Sequence, residues 1–582
     1  MEPAATNAEP RGRKPRRVVP LLVILFLIAM IGGAGYGYWH FYWPNSMHQT
    51  PDFDGSKKPV FYRGEMLRLP AAGEKESLKL PIDVYKDLID PNIRYEEQSQ
   101  SVIITTQDKV VRLKTSQLTG LVNEKPFTLR FPVEKIDNTT YVPVDPLLTY
   151  YKLEIRESAE TGAVILHKAG DVIQWGKAAA SANKPDKLRA MRTEPTVKAP
   201  IAADVKQGEA VMLLADEKDW YKIQLANGYI GYMKKSEVSL DRVETIPVQE
   251  RKEPKAPWKP LGGKINLTWQ QVYNKNPDTS KIGAMPGLNV ISPQWFHLAD
   301  GEGNLKNNGD AAFVKWAHAQ GYQLWALFSN GFEPKQTSEA LSTYDKRIKM
   351  IKQLVSFAQM YQIDGINIDF ENVYLKDKAN VVQFVRELTP FLHEQGLVVS
   401  IDVTVKDGSE VYSLFMDRRA VGEVVDYMMV MTYDEHWASS QKAGPVASLS
   451  WVEKGITQIM KEDDVPASKL LLGVPFYSRV WTEETKDGKT KVSSKAVGMD
   501  VIQKTIKDKN LTPTYDQEAG NNYVEYKEDG KTIKIWIEDA VSMKSRAELV
   551  KKHDLAGIAS WSRTFETPDI WNVIKETLEK RP

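Results

Sequence analysis

The nine residues DGINIDFEN, Asp364 to Asn372, concentrate the acid chemistry of this chain. Side chains two apart share a face of an extended strand, so Asn367, Asp369 and Glu371 point the same way, with neighbouring Cα atoms about 6.5–7 Å apart. Two carboxylates on one face repel when both are ionised. One of them therefore keeps its proton to higher pH and is available as a general acid near neutrality. An acidic strand end can equally be structural or hold a cation, so the pair alone does not decide. Other chemistries fall away. With 0 Cys, disulfides, thiolate nucleophiles and Cys-ligated zinc or iron–sulfur sites are excluded. Lys+Arg 77 against Asp+Glu 76 leaves +1, which gives no general electrostatic case for nucleic acid. The 15 Trp serve either large cores or stacking platforms for sugar rings.

The elements that must position these carboxylates follow from the texture after residue 264. Apolar runs occur at GLNVISPQWFHL (287–298), QLWALFSN (323–330), GINIDFEN (365–372), LVVSIDVT (397–404), VDYMMVMTYD (425–434), KLLLGVPFY (469–477) and LAGIASWS (555–562). Helical patterns separate them, such as Val381, Val382, Val385, Leu388, Phe391 and Leu392 on one face. Continuous apolar strands alternating with helices argue a parallel sheet buried on both sides. Seven or eight such units suit a (β/α)8 (TIM) barrel with one insertion at about 482–550. A doubly wound sheet is the alternative, although no G-x-G-x-x-G follows the first strand. In a barrel, Glu371 would lie at the catalytic C-terminal face.

DGINIDFE fits the D-G-x-x-x-D-x-E signature of glycoside hydrolase family 18, the chitinase-like enzymes, and the resemblance extends over 264–580. SPQWF in the first strand, MTYDEHW (431–437), LGVPFYSRVW (472–481) and GIASWSRTFE (557–566) are each similar to that family's strand-end motifs, in order. The resemblance implies that Glu371 protonates the glycosidic oxygen while the substrate's own 2-acetamido oxygen is the nucleophile, a substrate-assisted route without cofactor or metal. Asp369 would hold the acetamido N–H and share charge with Glu371. Tyr433 would hydrogen-bond the acetamido carbonyl, and Trp561 would floor the reacting sugar. Asp434, Asn367, Asp364 and Trp295 complete the expected substrate-binding set. Asn367 departs from the family pattern, where Asp is common; its amide is expected to donate to Asp369. The implied substrate is a β-linked N-acetylglucosamine polymer, peptidoglycan or chitin-like. A surface lectin or wall scaffold is the alternative, and Glu371 favours the enzyme.

Outside the barrel, the sequence reads as a multidomain surface protein. Arg11, Arg13, Lys14, Arg16 and Arg17 form a basic tail (1–17) before an uncharged apolar segment, 18–43, ending in Tyr36, Tyr38, Trp39, Tyr42 and Trp43. Such a segment is long enough to span a bilayer, and the charge bias puts the N-terminus inside and the catalytic domain outside. A cleaved signal is the rival. Residues 50–170, with IRYEEQSQSVIITT and YVPVDPLLTYY, resemble the copper amine oxidase N-terminal-like domain, read here as a small α+β stalk with a helix around Val144–Tyr151. His48 and His167 are too few for a three-imidazole copper site, so no metal is carried over. Residues 186–240 look like a small all-β bacterial Src-homology-3-like domain, on the marks Leu188-Arg189, Gly208, Trp220-Tyr221, Asn227-Gly228 and Gly231-Tyr232. That resemblance implies docking to cell-wall peptidoglycan, though Trp220 and Tyr221 also suit a small core. A Pro- and Lys-rich linker, 246–263, leads to the barrel.

Overall fold

The computed structural model describes residues 18–151, 153–179, 188–248 and 261–579. The basic tail and most of the expected linker lie outside the described residues. The chain forms two compact units, Met1–Ile89 with Tyr141–Glu250, and Asp90–Thr140 with Arg251–Pro582.

The first unit opens with α1 (Val18–Tyr42). Its stretch Leu22–Tyr42, 21 residues, is long and apolar enough to cross a membrane, about 32 Å at 1.5 Å per residue. Side chains along it stand exposed, Phe26 at 65% and Ile31 at 70%. A few residues beyond the helix, the Asn45 N–H donates to the Val197 carbonyl at 2.8 Å and the Arg192 guanidinium donates to the Asn45 carbonyl at 3.0 Å. Residues 172–245 build a seven-stranded sheet over a core of Met191, Val205, Val211, Ile223 and Met233. Trp220 is buried, and Tyr221 packs half-buried against that core. The expected helix Val144–Tyr151 is present with those bounds.

In the second unit, eight parallel strands close into a barrel. They are β1 (Ile265–Gln270), β2 (Val290–Leu298), β3 (Gln323–Ser329), β4 (Gly365–Asp369), β5 (Val398–Thr404), β6 (Tyr427–Met431), β7 (Leu470–Pro475) and β8 (Gly557–Trp561). Parallel pairing runs round the ring, and Ile265 opposite Gly557 joins β1 to β8. Closure excludes the doubly wound alternative. Inward residues Leu267, Val290, Leu327, Val398, Met429, Leu471 and Ala559 fill the interior, while the opposite faces of the strands pack under the helices. The apolar runs mark seven of these strands and miss β1, because Asn266, Thr268 and Gln270 alternate along it yet are all buried. SPQWF therefore lies on the second strand, not the first. Gly365 opens β4 where a Cβ would come within 2.9 Å of the Trp325 ring and of the Val398 carbonyl.

Two further sheets belong to this unit. An antiparallel meander, residues 94–128, packs against α2 (Tyr344–Tyr361) and α3 (Lys378–Glu394). Arg347, fully buried on α2, donates to Glu387 on α3 at 2.8 Å and to Glu96 on the meander at 2.5 Å. Arg112 forks onto Asp345, and Arg386 donates to Thr105. Between β7 and α4 (Ala540–Lys552), a second five-stranded sheet over Tyr477–Ile537 buries Ile502, Val524, Ile533 and Ile535. Buried Glu538 pairs with Arg546 of α4 and ties that insertion to the barrel.

Candidate active site

Strand β4 delivers Asn367 and Asp369 inward, and the chain continues past its end to the half-buried Glu371. Glu371 is held from β3: the Asn330 side-chain oxygen accepts the Glu371 N–H at 3.1 Å, and the Asn330 amide donates to the Glu371 carbonyl at 2.7 Å. Asn330 is itself buried and bonded to Thr337 at 3.0 Å. The sequence reading missed this clamp; its signal is an amide side chain ending the FSN strand.

Burial first, and the neighbouring charge of Asp434 second, push the Glu371 carboxyl from 4.5 up to about 7. Asp369 is raised well above the ordinary carboxyl range by burial, then by Glu371 and Asp402. Burial likewise raises Tyr433, with Asp402, Tyr477, Glu371 and Asp369 adding to it. Tyr433 and Trp561 are half-buried, and the Trp561 ring lies 5.8 Å from that of Trp269. Asp434 is exposed in a left-handed turn (φ 61°), accepting from the Tyr477 hydroxyl at 2.7 Å and from Arg479 at 3.3 Å. Asp369 and Trp561 end their strands and Glu371, Tyr433 and Asp434 follow just past strand ends at the C-terminal face, while Asn367 lies mid-strand, one inward position below Asp369.

Three expectations need correction. Asn367 does not donate to Asp369; its amide donates to Asp402 on β5 at 2.7 Å. Asp364 lies at the opposite end of β4, accepting the Leu324 N–H at 2.8 Å and pairing with His318, so it pins strand starts and is not positioned to bind substrate. Asp426 repeats that device with Val399 and His393 before β6. Trp295 is fully buried against Phe313 and Tyr361, its indole donating to Asn276 at 2.7 Å, because its position on β2 faces the helices.

A buried carboxyl raised toward neutrality, with the Tyr433 phenol near it at the mouth of a parallel barrel, is equipment suited to a glycosidase. Residues 303–566 match the model for glycosyl hydrolases family 18, 187–239 that for the bacterial SH3 domain, and 65–166 that for the copper amine oxidase N-terminal domain. The chain is 24% identical over 303 residues to the uncharacterized glycosylase YvbX of Bacillus subtilis, covering 50% of this chain and 84% of that protein. It is 27% identical over 245 residues to a cortical fragment-lytic enzyme of the same species, covering 39% and 54%. A crystal structure of a chitinase from Chromobacterium violaceum aligns at 25% identity and a TM-score of 0.48, over 55% of this chain and 100% of that one. The barrel belongs to glycoside hydrolase family 18, and the chain carries a bacterial SH3 domain and a copper amine oxidase N-terminal-like domain beside it.

Proposed function

We propose that this protein is a membrane-anchored surface hydrolase that cleaves β-linked N-acetylglucosamine polymers, with bacterial wall peptidoglycan preferred to chitin. The observation that carries the reading is Glu371, held by Asn330 and raised to about 7, an acid still available at neutral pH. Its proton passes to the glycosidic oxygen as the C1–O bond breaks. The substrate's 2-acetamido carbonyl oxygen attacks C1 from the other face and closes an oxazolinium ring. Asp369 holds the acetamido N–H, Tyr433 hydrogen-bonds its carbonyl oxygen, and Trp561 supports the sugar from below. Glu371, now a carboxylate, takes a proton from the water that reopens the ring, which restores the acid and retains the anomeric configuration.

Relatives named as cortical fragment-lytic enzymes support the wall polymer over chitin. The bacterial SH3 domain supports a wall-docking role, and α1 supports an anchor with the N-terminus inside. Full-length protein in detergent is incubated with purified peptidoglycan and with chitin oligomers, and the products are read by mass spectrometry. New N-acetylglucosamine reducing ends are expected. Binding to both polymers without turnover of either would replace the hydrolase by a glycan-binding scaffold.

A further inference from the structure

The strand beside β4 brings a carboxylate to the site that no motif announces. Asp402 on β5 is 3% exposed. Alternation along β5 puts it on the same inward face as Val398, a member of the barrel's inner cluster. Register pairs Asn367 with Ser400, so Asp402 stands level with Asp369 one strand over. Asn367, where the family pattern places a carboxylate, turns its amide N–H onto Asp402 at 2.7 Å.

Hydrogen-bond donors decide which of two neighbouring carboxyls carries the charge. Asp402 has the Asn367 amide. The Trp269 indole N–H also lies on its side, outside hydrogen-bond geometry yet near enough to favour the ionised form. Asp369 accepts no hydrogen bond among the described residues, and it faces Glu371. We propose that Asp402 is a positioning residue that takes over the inner carboxylate's part from Asn367, keeping the negative charge so that Asp369 keeps the proton beside Glu371. The charge is moved to the next strand, and Asn367 connects the two positions. Burial first holds both aspartates above the ordinary range; Glu371 and then Asp402 add to it at Asp369, and Glu371 adds to it at Asp402, where the Asn367 amide pulls the other way. The other titratable or charged groups around them are Glu371 beyond β4, Tyr433 and Asp434 after β6, and Tyr477 and Arg479 after β7.

The kinetic arm of the test rests on the hydrolase reading above; a spectroscopic arm does not. Asp402→Asn keeps the shape and removes the charge that delays ionisation of Asp369 and Glu371. The high-pH limb of kcat/KM then moves about one pH unit lower, kcat at pH 7 falls roughly tenfold, and KM stays within about twofold because Asp402 touches no substrate. The double variant Asn367→Asp/Asp402→Asn returns a carboxylate to the cluster and restores the limb, which a packing role for Asp402 would not do. Should Asp402→Asn fail to fold, Asn367→Leu deprives Asp402 of its donor and moves the limb in the same direction.

Independently of turnover, full-length protein labelled with 13C-carboxyl aspartate is followed by infrared spectroscopy across pH. A protonated aspartate band at pH 7 is expected to vanish in Asp369→Asn, and in Asp402→Asn to titrate away at lower pH than in the parent. An inactive parent overturns the hydrolase reading and leaves this arm intact. A limb in Asp402→Asn that superimposes on an active parent overturns the proposal, as does a pH 7 band that survives Asp369→Asn but is lost in Asp402→Asn.

Discussion

Burial raises the Glu371 carboxyl to about 7, and this one property bears on both rate and stability. Under the proposed mechanism the acid form is the working form, so the rate is expected to fall as pH rises through about 7; the descending limb of a pH–rate profile checks this. Glu371→Gln keeps the shape, lacks the transferable proton, and lowers turnover by about 10²–10⁴-fold with glycan binding nearly unchanged. The stability effect has the opposite sign. A folded pKa raised from 4.5 to about 7 means the folded chain retains a proton that the unfolded chain has released. That contribution is present in full below the unfolded value and is lost as pH rises through about 7. Glu371→Gln does not carry this penalty, so at pH 8 it should unfold with about 1–3 kcal/mol more stability than the parent, relative to their difference at pH 4. Denaturant titrations at the two pH values measure it. The placement of Glu371, Asp369, Tyr433 and Trp561 at the barrel mouth was legible in the sequence because each sits in a contiguous strand-end motif. Asn330 and Asp402 were not, because each acts on a residue 35 or more positions away, across a sheet whose register no local pattern specifies.

Whole elements obey the same division between local and distant information. Seven barrel strands announce themselves as runs of buried apolar residues, while β1 reads as half-exposed because Asn266, Thr268 and Gln270 interrupt it. Trp295 and Asp364 lie in the right motifs but on the wrong face and at the wrong end, which only the closed barrel reveals. The 94–128 meander is the largest such case. From sequence it belongs to a stalk, yet Glu96 reaches Arg347 across 251 positions and the Tyr344 hydroxyl reaches Glu124 across 220. Arg347 keeps Glu387 when Glu96 is replaced, so the cost is that of a weakened buried charge-assisted hydrogen bond, about 1–3 kcal/mol. Glu96→Gln should therefore lower stability by about 1–3 kcal/mol, although Glu96 lies outside the barrel sequence. A 264–582 fragment, which lacks Glu96 and uncovers the helix surface beneath Ile103 and Val110, should melt well below the full chain. Thermal denaturation of both proteins decides this, and equal melting temperatures would show that the meander contributes nothing to the barrel.

For the molecule as a whole, the proposed anchor makes a testable statement about which side of a membrane each segment would occupy. The basic residues of 11–17 precede an uncharged helix whose last turns carry Tyr36, Tyr38, Trp39 and Tyr42, the charge and aromatic pattern on which the proposed N-in orientation rests. Beyond it, Asn45 is bonded to Val197 and Lys198, so the SH3 domain follows the helix with almost no slack. Because the chain has 0 Cys, single cysteines can report position without interference. Ala4→Cys marks the tail, Gln207→Cys an exposed turn of the SH3 domain, and Lys275→Cys an exposed barrel loop. A membrane-impermeant maleimide added to intact cells should label positions 207 and 275 at once and position 4 only after permeabilisation. The opposite result would reverse the orientation. Recovery of positions 207 and 275 in the medium, on a chain lacking position 4, would show that the apolar segment is a cleaved signal and that the enzyme works free of the membrane.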